Sequence, residues 1–137
     1  MWKYYAIFSA LFAAATAILA KVGVKGIDSN LATAVRTVVI LGITWGIVIF
    51  SGSLGHIRNL SRYNWLFLIL SGVATGLSWL FYFKALQTGD ASKVAPIDKL
   101  SVAFTIFLGI LILGEPADFK VICGGALIVF GSLVILW

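Results

Sequence analysis

A chain of 137 residues that is 61% hydrophobic and only 11% charged cannot hide its apolar surface in one small core, which excludes a soluble globular domain and points to the bilayer. Its formal net charge of +5 would suggest nucleic acid in a soluble protein; here the basic residues mostly flank apolar runs, where lipid headgroups are the natural counter-charge. The single Cys123 and single His56 exclude an internal disulfide and make no metal site.

A helix needs about 20 apolar residues to cross the hydrocarbon, and five such stretches fit: Tyr4–Val22, Leu31–Phe50, Trp65–Ala85, Ala91–Leu113 and Ala117–Trp137. A transmembrane β-barrel would instead show ~10-residue segments alternating apolar and polar side chains. These runs are continuous and longer. The expected fold is all-α, with five transmembrane helices in one membrane domain over residues 1–137.

Trp2, Tyr4 and Tyr5 beside Lys3 form an interfacial belt at the start of the first span. The first twenty residues also carry features of a signal peptide, with Lys3, an apolar core and small residues up to Ala20, but the segment is counted as a span. Ala6, Ala10 and Ala14, and Ser9, Ala13 and Ala17, recur every fourth residue, a spacing that lets helix backbones approach. Asp28, Ser29 and Asn30 offer capping oxygens for the second span. Arg36 lies early in that span and can snorkel, while Gly42 and Gly46 make a GxxxG packing motif around Trp45. The loop from Ser51 to Asn64 contains His56, read as a solvated loop histidine, and the sequon-like Asn59-Leu60-Ser61.

The third span is the most periodic. Ser71, Thr75, Ser78 and Tyr82 fall on one helical face, beside a second stripe of Gly72, Gly76, Trp79 and Phe83. Four aligned hydroxyls gain nothing from lipid. They serve interhelical hydrogen bonds, a cavity wall, or both. Gly89 is expected to end this helix in the left-handed conformation and Asp90 to cap the next, giving an antiparallel hairpin of spans three and four.

The fourth span has Pro96, Asp98 and Lys99 in its first half. Proline there kinks or breaks a helix, and interrupted helices near polar residues mark binding sites in transporters. Asp98, Ser101 and Thr105 share a face, whereas Lys99 points ~100° away from Asp98 on an ideal helix. The two are therefore not expected to pair; Arg36, a backbone carbonyl or a partner subunit are the alternatives. Gly114 ends the span, Pro116 fits the first position of the fifth helix and Asp118 its first turn. The fifth span, with Gly124, Gly125 and Gly131, reads as scaffold or dimer contact, with almost no polar side chains beyond Cys123 and Ser132.

Five spans put the termini on opposite sides. Lys3, Arg58, Arg62 and Lys120 fall on one side and Lys21, Lys25, Lys84 and Lys93 on the other, so the positive-inside rule sets no orientation. A chain balanced in this way can insert both ways, and two opposed copies would build an inverted-repeat homodimer.

The run from Lys84 to Leu136, KALQTGDASKVAPIDKLSVAFTIFLGILILGEPADFKVICGGALIVFGSLVIL, resembles the EamA domain of the drug/metabolite transporter superfamily. The matching features are Ala85-Leu86, Ala91 four residues before Ala95, the Leu111–Glu115 turn, and the glycines from Gly124 to Gly131. The N-terminal half fits more loosely through Lys21 and Arg36. Most relatives carry two five-helix repeats, so this chain is similar to the small single-domain bacterial and archaeal branch. The resemblance implies secondary transport of a small metabolite by alternating access, with helices three and four lining the pathway and Glu115 holding the last turn. Where relatives often have an apolar run with a proline in helix four, this chain has Pro96, Asp98, Lys99 and Ser101, so a relative's substrate does not carry over.

The expected pathway residues are Lys99, Asp98, Ser71, Thr75, Ser78, Trp79, Tyr82, Ser101 and Thr105, with Pro96 as the helix break and Arg36 and Trp45 as secondary candidates. Lys99 and Arg36 suit an anionic solute, whereas Trp45, Trp79 and Tyr82 suit an aromatic or cationic one; both stay open. No cofactor, metal or nucleic acid is expected, and the partners are a small solute, lipid and a second copy. The alternative is a non-transporting helper subunit paired with another membrane protein. No catalytic motif supports an enzyme.

Overall fold

The computed structural model describes residues 1–137, and every regular element is helical. In chain order these are α1 (Trp2–Gly23), α2 (Ser29–Phe50), a 3-10 segment (Ser53–Asn59), α3 (Arg62–Thr88), α4 (Ala91–Asp98), α5 (Leu100–Leu113) and α6 (Phe119–Leu136). Taking α4 and α5 as one stretch, five are long and apolar enough to cross a membrane. The expected spans are therefore present: the first three run longer, because interfacial residues such as Trp2, Arg62 and Gln87 continue the helices beyond their apolar runs, the fourth has the expected bounds and the last is shorter. By contacts the chain divides into two compact units, Ala20–Gln87 and Met1–Leu19 with Thr88–Trp137.

In the unit Ala20–Gln87, a small core closes the end where α2 begins and α3 finishes. Ala20, Val24, Ala32, Phe83 and Leu86 are its buried apolar side chains, with Ser29 and Thr33 beside them. Asp28 is extended (φ −64°, ψ 135°) and its Oδ1 accepts from the N–H groups of Asn30 and Leu31 at 2.9 and 3.1 Å. Such a cap contributes ~1 kcal/mol by satisfying amides that have no partner inside the helix. The end of α3 is closed by side chains instead. Lys21 Nζ donates to the Leu86 carbonyl at 2.7 Å, and Gln87 Nε2 donates to the Ile27 carbonyl at 2.8 Å. That arrangement corrects the expectation for Gly89, whose φ is not positive: with a lysine on a last-turn carbonyl, a left-handed glycine cap is not needed. At the other end, Gly52 (φ 70°) turns the chain out of α2, and Ser61 Oγ accepts from Asn64 N–H at 3.1 Å to start α3.

The other unit contains the interrupted fourth span. Pro96 lies inside α4, and the helix stops two residues later. The Lys99 N–H turns back three residues to the Pro96 carbonyl at 3.1 Å, and α5 restarts at Leu100. Gly114 ends α5 with φ 66°, a conformation that costs an L-residue about 1–2 kcal/mol. The Glu115 N–H then bonds the Gly109 carbonyl at 3.2 Å, and its side chain folds over Gly109, with Oε2 2.9 Å from where a Cβ would stand. Glu115 thus holds this junction, as the resemblance implied. Across from it, Ile106 of α5 reaches to 2.8 Å from the Cβ position of Gly125 in α6.

The sixth helix begins later than expected. Asp118 is extended and accepts from Lys120 N–H at 3.0 Å, so it is the cap and not a first-turn residue. Pro116 belongs to the preceding tight turn, where its carbonyl takes the Asp118 N–H at 2.9 Å. A carboxylate that can bond an amide two residues ahead fixes the helix start better than the preset φ of proline does.

Candidate functional site

The break in the fourth span and its charges form the first half of the candidate site. Lys99 is the hinge residue between α4 and α5 (φ −70°, ψ −7°). Its ammonium lies 3.4 Å from Asp98 Oδ2, which corrects the expectation that the two could not pair. The ~100° separation holds only on a continuous helix. Here the ladder is interrupted between them, and a flexible lysine stem closes the gap. Asp98 is half-buried and Lys99 is exposed. Ser101 and Thr105 follow on α5, both exposed, and Thr105 Oγ1 donates back to the Ser101 carbonyl at 2.9 Å.

The Pro96 carbonyl has a second donor. Ser132 of α6, only 4% exposed, gives its hydroxyl to that oxygen at 2.9 Å. A proline-disturbed turn within a bilayer leaves polar backbone that must be satisfied from within the protein, and Ser132 does this across a helix pair. Ser132 was legible only as the one hydroxyl in an otherwise apolar span; its target depends on how α6 packs.

In Ala20–Gln87, the hydroxyl stripe of α3 is divided. Ser71, Thr75 and Ser78 are exposed and Tyr82 is half-buried. Thr75 Oγ1 donates to the Ser71 carbonyl at 2.9 Å, so its hydrogen atom is already used within its own helix. Trp45 on α2 is exposed, at 45%.

Arg36 has a more specific setting. It lies about 10 Å along α2 at 1.5 Å per residue, with its guanidinium carbon 4.6 Å from the Trp79 ring centroid and 5.2 Å from that of Phe83. Tyr82 stands edge-on to Phe83, with centroids 6.4 Å apart and planes at 69°. Trp79 and Phe83 are one helical turn apart on α3, so consecutive rings on a single face receive the cation. Phe83 was not among the expected site residues. Its signal in the sequence is the four-residue spacing from Trp79, opposite an arginine on the preceding span.

The glycine pair of α2 does not do what its motif suggests within one chain. A Cβ on Gly42 or Gly46 would meet nothing within 4 Å, and the same holds for Gly72, Gly76, Gly124 and Gly131. Gly109 and Gly125 are the close-approach positions. No group of three or more His, Cys, Asp or Glu is placed to hold a metal ion.

The family model for EamA-like transporters matches residues 1–137. A protein of Sinorhizobium sp described as "Uncharacterized transporter in cobO 3'region" is 48% identical over 134 residues, which is 98% of this chain and 95% of that protein. No solved structure matches the chain.

Proposed function

The chain belongs to the EamA-like transporter family, and on that premise we propose that it is a secondary transporter or exchanger of a small metabolite, working by alternating access as an antiparallel homodimer. The family and the transporter-named relative point to membrane transport and away from an enzyme, and the five apolar helices make it an integral multi-pass membrane protein. The observation that carries the mechanistic part is the interrupted fourth span, with Asp98 and Lys99 at its break. An ionisable group at membrane depth costs about 2.5–3.5 kcal/mol on insertion scales. A purely structural helix has no use for two of them, a proline and a break.

In this reading Asp98 and Lys99 contact the solute or the coupling ion and exchange that contact for their mutual pairing when the site empties. Ser101 and Thr105 continue the path along α5, and in the unit Ala20–Gln87 the proposed solute contacts are Ser71, Thr75, Ser78, Trp79 and Tyr82 of α3. The homodimer rests on two observations. Basic residues are balanced between the two sides of the span order, and the glycine surfaces of α2, α3 and α6 are open for close approach by another helix. The test is solute counterflow in proteoliposomes. Lys99→Ala and Asp98→Ala should abolish it without loss of expression, and wild-type counterflow in both variants would return these residues to a structural role. Accessibility of a tag at each terminus in intact cells tests the dimer: one uniform orientation rules out the antiparallel arrangement.

A further inference from the structure

We propose that Arg36, held on the rings of Trp79 and Phe83, is an oxyanion-recognition site, and that the solute class is a small organic anion bearing a carboxylate. The inference rests on the transport reading above and names the charge of its solute.

The chain has five acidic side chains, each with a contact of its own, and Asp28 is the one in the unit that holds Arg36. Asp28 and Asp118 cap α2 and α6. Asp90 and Asp98 lie beside Lys93 and Lys99, and Glu115 folds over Gly109. Within its own unit Arg36 therefore carries a permanent charge inside a span, with the Trp79 and Phe83 rings as its contacts and the one acid, Asp28, occupied as a helix cap. A cation on a ring face gains about 0.5–2 kcal/mol, less than the cost of placing it at depth. The residual cost needs a further partner.

Geometry says what that partner offers. Stacking on aromatic faces occupies the flat π-surface of a guanidinium and leaves the in-plane N–H fork outward. That fork matches a carboxylate or phosphate oxygen pair in bidentate fashion. Contact with two rings restricts the Arg36 side chain, so less side-chain entropy remains to be lost on binding. The same geometry favours one of the two alternatives left open by the sequence. Trp79 could have served as the face for a cationic solute, but Arg36 already covers that ring, and a second cation would be repelled. An anion gains from both the fork and the field.

Lipid phosphate has the same chemistry, so the experiment separates the two sources. The protein is placed in nanodiscs of phosphatidylcholine, and its apparent melting temperature is followed with benzoate or acetate and with the neutral analogues benzamide and acetamide. A carboxylate site gives a rise that grows with the carboxylate concentration and is absent with the amides. Arg36→Gln should remove the rise, and Arg36→Lys, which keeps the charge but not the fork, should weaken apparent binding by about ten-fold. If Arg36→Gln does not fold, Arg36→Lys alone decides. Equal rises with carboxylate and amide, no rise with either carboxylate, or an undiminished rise in the variant that folds would overturn the proposal. So would an Arg36-dependent stabilisation by added phosphatidylglycerol that removes the response to benzoate, since the site would then belong to a headgroup. The transport reading fails differently. Arg36-dependent benzoate binding without benzoate counterflow keeps the site and removes transport of that solute, whereas counterflow of another solute that is indifferent to Arg36 keeps transport and removes the site.

Discussion

In Ala20–Gln87 a single cation, Arg36, rests on two ring faces of one neighbouring helix with its ladder intact. In the unit that includes Thr88–Trp137, two opposite charges stand 3.4 Å apart at the end of a broken helix, whose exposed carbonyl is taken by a serine from α6. The first arrangement keeps the backbone regular and leaves net charge available to an incoming group. The second neutralises charge internally and places the irregularity in the backbone. On the proposed reading the difference separates a fixed recognition group from a pair that can open, since a hinge residue is where a helix can change direction at least cost.

The largest expected effects break this comparison at the pair. Counterflow should be lost in Lys99→Ala and Asp98→Ala, and Asp98→Ala should also lower the thermal stability of detergent-solubilised protein, because it leaves an ammonium at the break without its partner. Removing Arg36 should act in the opposite sense on stability. Arg36→Leu takes away a charge whose ring contacts recover only part of its insertion cost, so its melting temperature should equal or exceed that of wild type while any carboxylate response disappears. A large destabilisation by Arg36→Leu would show that the cation is a structural tie between α2 and α3.

A smaller effect tests whether the break is held from outside. Ser132→Ala removes the hydroxyl at Pro96, and membrane hydrogen bonds of this kind average ~0.6 kcal/mol with a maximum near 1.7. Pro96→Ala should restore a continuous ladder from α4 into α5 and raise stability while reducing transport. In the double variant the serine effect should vanish, as a double-mutant cycle would read. Gly114→Ala places a Cβ in the left-handed region and should cost about 1–2 kcal/mol, measurable by unfolding in mixed micelles. The smallest effect is expected from Thr75→Val. Its hydroxyl is already bonded to Ser71, so stability should change little, and a strong change in counterflow would show that the solute competes for that hydroxyl.

The particular elements show where sequence reasoning succeeds. Asp28 capping α2 and Gly114 ending α5 were legible because each depends on a few neighbouring residues and on backbone geometry that only certain side chains satisfy. Gly89 and Pro116 were misread for the same reason in reverse. Both carry strong local preferences, but Lys21 and Asp118 supplied alternative bonds to the helix ends. The Asp98–Lys99 pair was missed because an ideal helix was assumed through a residue that the proline had freed from it.

The sequence by itself determined five membrane-spanning helices and the location of the break in the fourth. A run of about 20 apolar residues has no other stable solution in lipid, and proline lacks the N–H that a continuous ladder needs. Only the tertiary structure decided which side chains answer one another. The placement of Arg36 over Trp79 and Phe83, and of Ser132 beneath Pro96, depends on the rotation and register of one helix against another. Those are set by the summed packing of Ala32, Thr33, Phe83 and Leu86 in one unit and of Ile106 on Gly125 in the other, and no residue's own neighbours in the sequence encode them.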